Sequence, residues 1–299
     1  MPLNERLAIA AELTPPFVIH EPQNQTSPLV FCSPHSGRTY PSILLEKSRL
    51  DPLSLRKSED CFVDELFANA PTFGAPLIEA RFPRAYIDVN REPFELDPEL
   101  FDEPLPAFAN AQTMRVIGGL GTVPRVVAEA EEIYSAPLSL AVAMERIEQL
   151  YRPFHQALSD LLERTRARFG YAVLIDCHSM PSVSVAFPAS ARPEFILGDR
   201  FGGSCDYRIT RTTREAISGL NYQVQLNRPY AGGFITEHYG QPGNSLHAIQ
   251  IEINRGLYLN ELTLRPNRRF NNFKADITSL VRDLTSTIPA ALEGRLAAE

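Results

Sequence analysis

The sequence predicts an α/β domain with a mixed sheet and helices on both faces. Three observations carry that reading. Continuous apolar runs at 29–33 and 171–175 have the length and composition of strands buried on both sides. Amphipathic stretches over 137–169 and 271–287 have helical spacing. The two kinds of segment interleave along the chain, which is the order of an α/β fold.

Residues 1–27 read as a loosely structured lead-in to one domain spanning 1–299. Leu29-Val30-Phe31-Cys32-Ser33 is a short strand that stops at Pro34. From Ser58 the period changes: Phe62, Val63, Leu66 and Phe67 fall at helical spacing, with Ser58 or Asp60 as the cap. Runs 75–80 and 85–89 read as two further strands, and the Pro-rich, acidic stretch 93–112 as loop. The 137–169 segment carries Leu140, Met144, Ile147, Leu150, Leu158, Leu161 and Leu162, is kinked at Pro153 and ends at Gly170. Over 245–254 the pattern alternates, with His247, Ile249, Ile251 and Ile253 on one face and Gln250, Glu252 and Asn254 on the other.

Composition narrows the function classes. The 299 residues are 44 % hydrophobic and 22 % charged, which excludes a disordered chain. A net charge of −7 argues against a nucleic-acid or anionic-membrane surface. Four cysteines without a CxxC pair are no disulfide framework. With no basic leader and no apolar run of membrane length, a soluble cytoplasmic protein is expected. The 25 prolines, spread from Pro2 to Pro289 rather than gathered in a linker, point to many irregular connections within one domain.

Sites in open α/β sheets form at the carboxyl ends of strands, so what each strand runs into matters. The first runs into Pro34-His35-Ser36-Gly37, another into Asp88-Val89-Asn90-Arg91, and the strand at 171–175 into Asp176-Cys177-His178-Ser179; Glu252 stands near the end of 245–254. Taken singly, each is more commonly a structural residue. Together, two histidines with carboxylates are the ligand chemistry of a catalytic Zn²⁺, with a further carboxylate available as general base. On an extended chain Asp176 and His178 share a face and Cys177 points the other way, so Cys177 and His178 make a poor nucleophile–base pair. Asp176 either orients a site group or caps a neighbouring backbone. Cys32 and Cys177 read as small buried hydrophobes. No HExxH occurs, Gly118-Gly119-Leu120-Gly121 does not open a helix, and the Gly202-Gly203 and Gly232-Gly233 pairs read as turns or close backbone approaches.

Taken in order, these segments resemble the N-formylglutamate amidohydrolase family. The matching residues are Pro34-His35-Ser36-Gly37, Arg84-Ala85-Tyr86-Ile87-Asp88-Val89-Asn90-Arg91, Leu174-Ile175-Asp176-Cys177-His178-Ser179, Leu197-Gly198, Gly203-Ser204-Cys205, Tyr230 to Gly240 and Ile249-Gln250-Ile251-Glu252. The resemblance covers roughly 28–260 and extends to zinc carboxypeptidases and aspartoacylases, implying a three-layer α/β sandwich with a mixed central sheet and one catalytic zinc. It makes His35 and His178 metal ligands. The carboxypeptidases take a second ligand three residues after the first histidine, where this chain has Arg38. The family's aspartate stands about where Asp60 does, with Glu59 and Asp64 as the alternatives. The resemblance further makes Glu252 the catalytic base, Asn90 and Arg91 the grip on a substrate carboxylate, and Arg84 a residue that binds substrate or polarises its carbonyl. Arg228, Thr236 and His238 are expected to line the rest of the pocket.

The activity implied is zinc-dependent cleavage of a formamide on a small anionic N-acyl amino acid, N-formyl-L-glutamate first, as in histidine degradation. The rivals are a deacylase or carboxypeptidase-like hydrolase on another amide, and a non-catalytic binding protein of the same fold.

Overall fold

The computed structural model describes residues 2–127, 130–183 and 193–294. The chain divides into two compact units: Met1–Val18, Pro34–Glu59 and Glu79–Ala157 form the first, and Ile19–Ser33, Asp60–Ile78 and Leu158–Glu299 the second. The strands are β1 (Phe17–His20), β2 (Leu29–Ser33), β3 (Leu77–Ala80), β4 (Ala172–Met180), β5 (Phe195–Gly198), β6 (Val224–Leu226) and β7 (Leu246–Asn254). The helices are α1 (Pro2–Glu12), α2 (Ser42–Lys47), α3 (Pro52–Leu55), α4 (Val63–Phe67), α5 (Met114–Ile117), α6 (Leu140–Arg146), α7 (Arg152–Phe169), α8 (Tyr207–Gly219), α9 (Phe234–Tyr239) and α10 (Phe270–Glu293).

The seven strands form one sheet in the order β1-β3-β2-β4-β7-β5-β6. β4 pairs in parallel with both β2 and β7, while β5 runs antiparallel to β7, so the sheet is mixed. All nine residues of β4 are buried, as its continuous apolar run requires of a strand covered on both faces. Alternation then sorts its side chains. Val173, Ile175 and Cys177 enter an apolar cluster with Ile249, Ile251 and Ile253 of β7, with α4 through Leu66 and Phe67, and with α10 through Ile277 and Leu280. Each valine, leucine, isoleucine or phenylalanine side chain so taken out of water contributes about 1.5–3 kcal/mol. The opposite face of β4 and β7 carries Asp176, His178, Gln250 and Glu252, and α9 packs there. Helices on both faces of a mixed sheet are the architecture expected from the sequence.

Several local expectations are corrected. Residues 85–89 are no strand: Tyr86 N–H closes a turn onto the Pro83 carbonyl, and the Asp88 carboxylate accepts the Asn90 N–H. Neither Ser58 nor Asp60 caps the following helix; α4 begins at Val63 after Phe62, which has φ 62°, and no side chain caps it. The lead-in holds α1 and β1, because Glu5 is buried against partners distant in sequence. Pro153 lies just inside α7, and the break predicted there falls on the preceding π-helical turn Ile147–Tyr151. The stretch 195–244, where no periodicity stands out, holds β5, α8, β6 and α9. Cys32, Cys61, Cys177 and Cys205 are buried, and none is in a disulfide among the described residues. No helix among the described residues is long and apolar enough to cross a membrane.

Candidate metal centre and active site

In the second unit the site residues are set by strand register. β4 and β7 run side by side with Asp176 opposite Gln250 and His178 opposite Glu252. On each strand the residue two positions earlier, on the same face, holds the functional group. Asp176 Oδ1 lies 2.8 Å from His178 Nε2, and Gln250 Nε2 donates to Glu252 Oε1 at 2.9 Å. These supports are themselves held: Thr236 Oγ1 donates to Asp176 Oδ2 at 3.0 Å, and Gly233 N–H donates to Gln250 Oε1 at 2.8 Å. Thr236, read from sequence as pocket lining, is thus fully buried beneath Asp176. Gly198 lets the segment carrying Gly233 approach β5, since a Cβ there would stand 2.5 Å from the Gly232 nitrogen.

His178 turns its other nitrogen, Nδ1, to Asp60 Oδ2 at 3.0 Å. The second oxygen, Asp60 Oδ1, accepts from Ser179 Oγ and from Arg255 Nη2, both at 3.1 Å, and Arg255 Nε donates to Ser179 Oγ at 3.0 Å. Burial works against a charge on His178, but Asp176 and Asp60 outweigh it, and its pKa stands well above the ordinary imidazole value.

In the first unit the turn replacing the expected strand is centred on Asp88. Its Oδ1 lies 2.8 Å from His35 Nε2 and also accepts the Asn90 N–H, while Oδ2 accepts from Arg84 Nε at 2.9 Å. Burial opposes ionisation of Asp88, but Arg84, Arg91 and His35 outweigh it and hold the carboxyl well below the usual range. Arg91 is 5 % exposed; its Nε donates to the Leu120 carbonyl at 2.9 Å and its Nη1 to the Asn90 carbonyl at 2.8 Å. Burial pushes its pKa down to about 10, so it is still a cation at neutral pH. Gly37 is required by the fold of the His35 loop, where a Cβ would overlap the Phe82 carbonyl.

One ligand atom from each of His35, Asp60 and His178 lies within 4.8 Å of the other two, and all three residues are buried. Two imidazoles and a carboxylate suit a catalytic zinc ion. Both imidazoles also have the far ring nitrogen on a buried carboxylate, the arrangement that fixes the tautomer of a metal-binding histidine. The residues fit the metal. Glu59 is instead engaged by Arg56 and by the Tyr40 hydroxyl, and Asp64 sits on α4. Arg228 and His238 are exposed, and His238 stacks on Phe234 at 4.9 Å.

Four supporting residues had no role assigned from sequence: Asp88, Gln250, Ser179 and Arg255. Gln250 had a readable signal, since period-2 alternation puts it beside Glu252 as Asp176 is beside His178. Arg255 had none, because only the fold brings it to Asp60.

The sequence model of the N-formylglutamate amidohydrolase family matches residues 27–259. The chain belongs to this family. Relatives include the N-formylglutamate deformylase of Pseudomonas putida, 31 % identical over 241 residues, covering 78 % of this chain and 82 % of that protein. The Pseudomonas aeruginosa enzyme of the same name is 29 % identical over 78 % of this chain and 83 % of its own length. Among solved structures, an N-formylglutamate amidohydrolase from Ralstonia eutropha superposes with a TM-score of 0.85 at 33 % identity, covering 92 % of this chain and 99 % of that one.

Proposed function

We propose that this chain hydrolyses the formamide of N-formyl-L-glutamate to formate and L-glutamate, with a Zn²⁺ ion held by His35, Asp60 and His178. The observation that carries the reading is the pairing of His178 with Glu252 across adjacent strands, each locked by its own support. When bound, the metal supplies a Lewis acid for the formyl oxygen and lowers the pKa of water at its open position.

The chain's own residues do the rest. Glu252 takes the proton of the attacking water at its carboxylate and returns it to the departing amine. The Gln250 amide fixes the carboxylate plane of Glu252, so one oxygen is oriented before substrate arrives. Arg91, pinned by two carbonyls, offers its Nη2 edge to a substrate carboxylate, with Asn90 beside it; that atom has only a 3.6 Å ion pair with Asp88 among its described contacts. Arg84, a quarter exposed and anchored by Nε to Asp88, stabilises the charge that develops on the formyl oxygen. Asp60, with Oδ1 engaged by Ser179 and Arg255, presents Oδ2 as the ligand atom. Arg228 and His238 contribute to the rim of the substrate pocket.

The test is formate release from N-formylglutamate beside N-acetylglutamate and short peptides, before and after chelation. Turnover confined to the formyl substrate, lost on chelation and restored by zinc, supports the reading. Full activity in metal-free protein overturns the metal assignment, and preference for an acetyl or peptide amide overturns the substrate.

A further inference from the structure

We propose that Glu5 is a positioning residue, which from α1 holds the Arg84–Arg91 turn, through Tyr86 and Arg146, in its substrate-binding conformation. The inference rests on the reading of Arg84, Asn90 and Arg91 given above. It concerns a helix lying ahead of residues 27–259, where the family match falls.

The contacts converge on one residue of the turn. Glu5 is fully buried, and its Oε1 accepts from the Tyr86 hydroxyl and from Arg146 Nε, both at 2.6 Å. Arg146, also fully buried, donates from Nη1 to the Tyr86 carbonyl at 3.1 Å and to the Tyr134 hydroxyl at 2.6 Å. Its guanidinium carbon stands 3.9 Å from the centre of the Tyr86 ring. Tyr86 is therefore gripped at its hydroxyl, ring and carbonyl. It stands midway between Arg84 and Asp88, the carboxylate that holds both Arg84 and His35.

A buried ion pair is a poor way to gain stability, because apolar side chains of similar volume commonly do as well or better. What the pair supplies is direction: a carboxylate on α1 that two donors must meet at fixed angles. The turn has no regular secondary structure of its own across Arg84–Arg91, so an outside tether sets where its cations point.

The experiment uses the full chain with the apolar pair replacement Glu5→Leu/Arg146→Met, and separately Tyr86→Phe, which removes only the bridging hydroxyl. Hydrogen exchange is read at amides 84–91 and, as a control for folding, in β4. Expected are about tenfold faster exchange over 84–91 with β4 unchanged, and a KM for N-formylglutamate about tenfold higher with kcat nearly constant. Glu5→Gln keeps the acceptor oxygen and is expected to restore most of the KM. Wild-type exchange at 84–91 in both altered proteins overturns the proposal, as does a fall in kcat at constant KM. If the double variant does not fold, Tyr86→Phe decides alone. Should wild-type protein leave N-formylglutamate untouched, the activity reading fails, and exchange at 84–91 still decides the tether.

Discussion

Asp176→Asn isolates what a buried carboxylate does for the imidazole of His178, proposed above as a metal ligand. Asn can still accept from His178 Nε2–H through Oδ1, and the Thr236 hydroxyl can rotate to accept from the new amide, so no partner is stranded. The loss is one of charge. A hydrogen bond to a charged group contributes about 1.5–3 kcal/mol and a neutral one about 0.5–1.5, leaving a deficit of about 1–1.5 kcal/mol. At about 1.4 kcal/mol per factor of ten, zinc affinity should fall about tenfold. The deficit should also depend on pH. In metal-free protein Asp176 helps raise the His178 pKa, so protons compete with zinc to higher pH than for a free imidazole. Removing that charge weakens the ligand but also weakens its proton competitor. The tenfold loss should therefore appear in full at the alkaline end and shrink as pH falls. Competition with a chromophoric zinc chelator across neutral pH reads both quantities. Equal affinity at every pH, or a deficit growing toward acid, refutes the reasoning.

Glu252→Gln should lower kcat by about a thousandfold while bound zinc stays stoichiometric, since a general base commonly contributes 10²–10⁴; formate release and metal content check it, and unchanged turnover removes Glu252 from the role of base. Acid stability should follow Glu5. Burial opposes its ionisation, yet Arg146 and Tyr86 prevail and its folded pKa is lowered, so its stabilisation is present above the unfolded value of about 4.3 and lost as pH falls through the folded one. Glu5→Gln should flatten that acid limb in Tm against pH, and an unchanged slope would count against the pair. Thiol reagents should leave native protein unmodified, because burial raises the Cys32 and Cys177 thiols well above their ordinary pKa and closes access to them; rapid alkylation with loss of activity would reopen a cysteine mechanism.

The sheet and the strand-borne half of the site were legible because period 2 is a strong signal where one face is apolar. The Ile249, Ile251 and Ile253 series locates the core side of β7 and leaves Gln250 and Glu252 on the other. The same rule misread 85–89, whose apolar residues suit a strand, because it cannot register that one buried carboxylate, Asp88, gathers donors from Arg84, Asn90 and His35 and bends the chain around itself. Asp60 read as a helix cap by local chemistry, yet its oxygens are turned to His178, Ser179 and Arg255, residues more than a hundred positions away. α8 escaped notice because threonines and arginines break up its buried stripe of Ile209, Thr213 and Ile217.

The same-face spacing of support and functional residue on β4 and β7 gives these strands a division of labour by parity. On β4 the even-numbered positions 174–178 lie on the face of the candidate site and the odd-numbered positions 173–177 face the apolar cluster. A one-residue slip would carry Asp176 and His178 together into the hydrocarbon and turn Cys177 to the other face, so no register both folds and misplaces His178. Substitutions confined to odd positions, such as Cys177→Val, alter packing without touching the reacting groups. Those at Asp176 and His178 change the polar groups of the candidate site and leave the apolar cluster as it is. Stability and activity can therefore be varied along one strand almost independently.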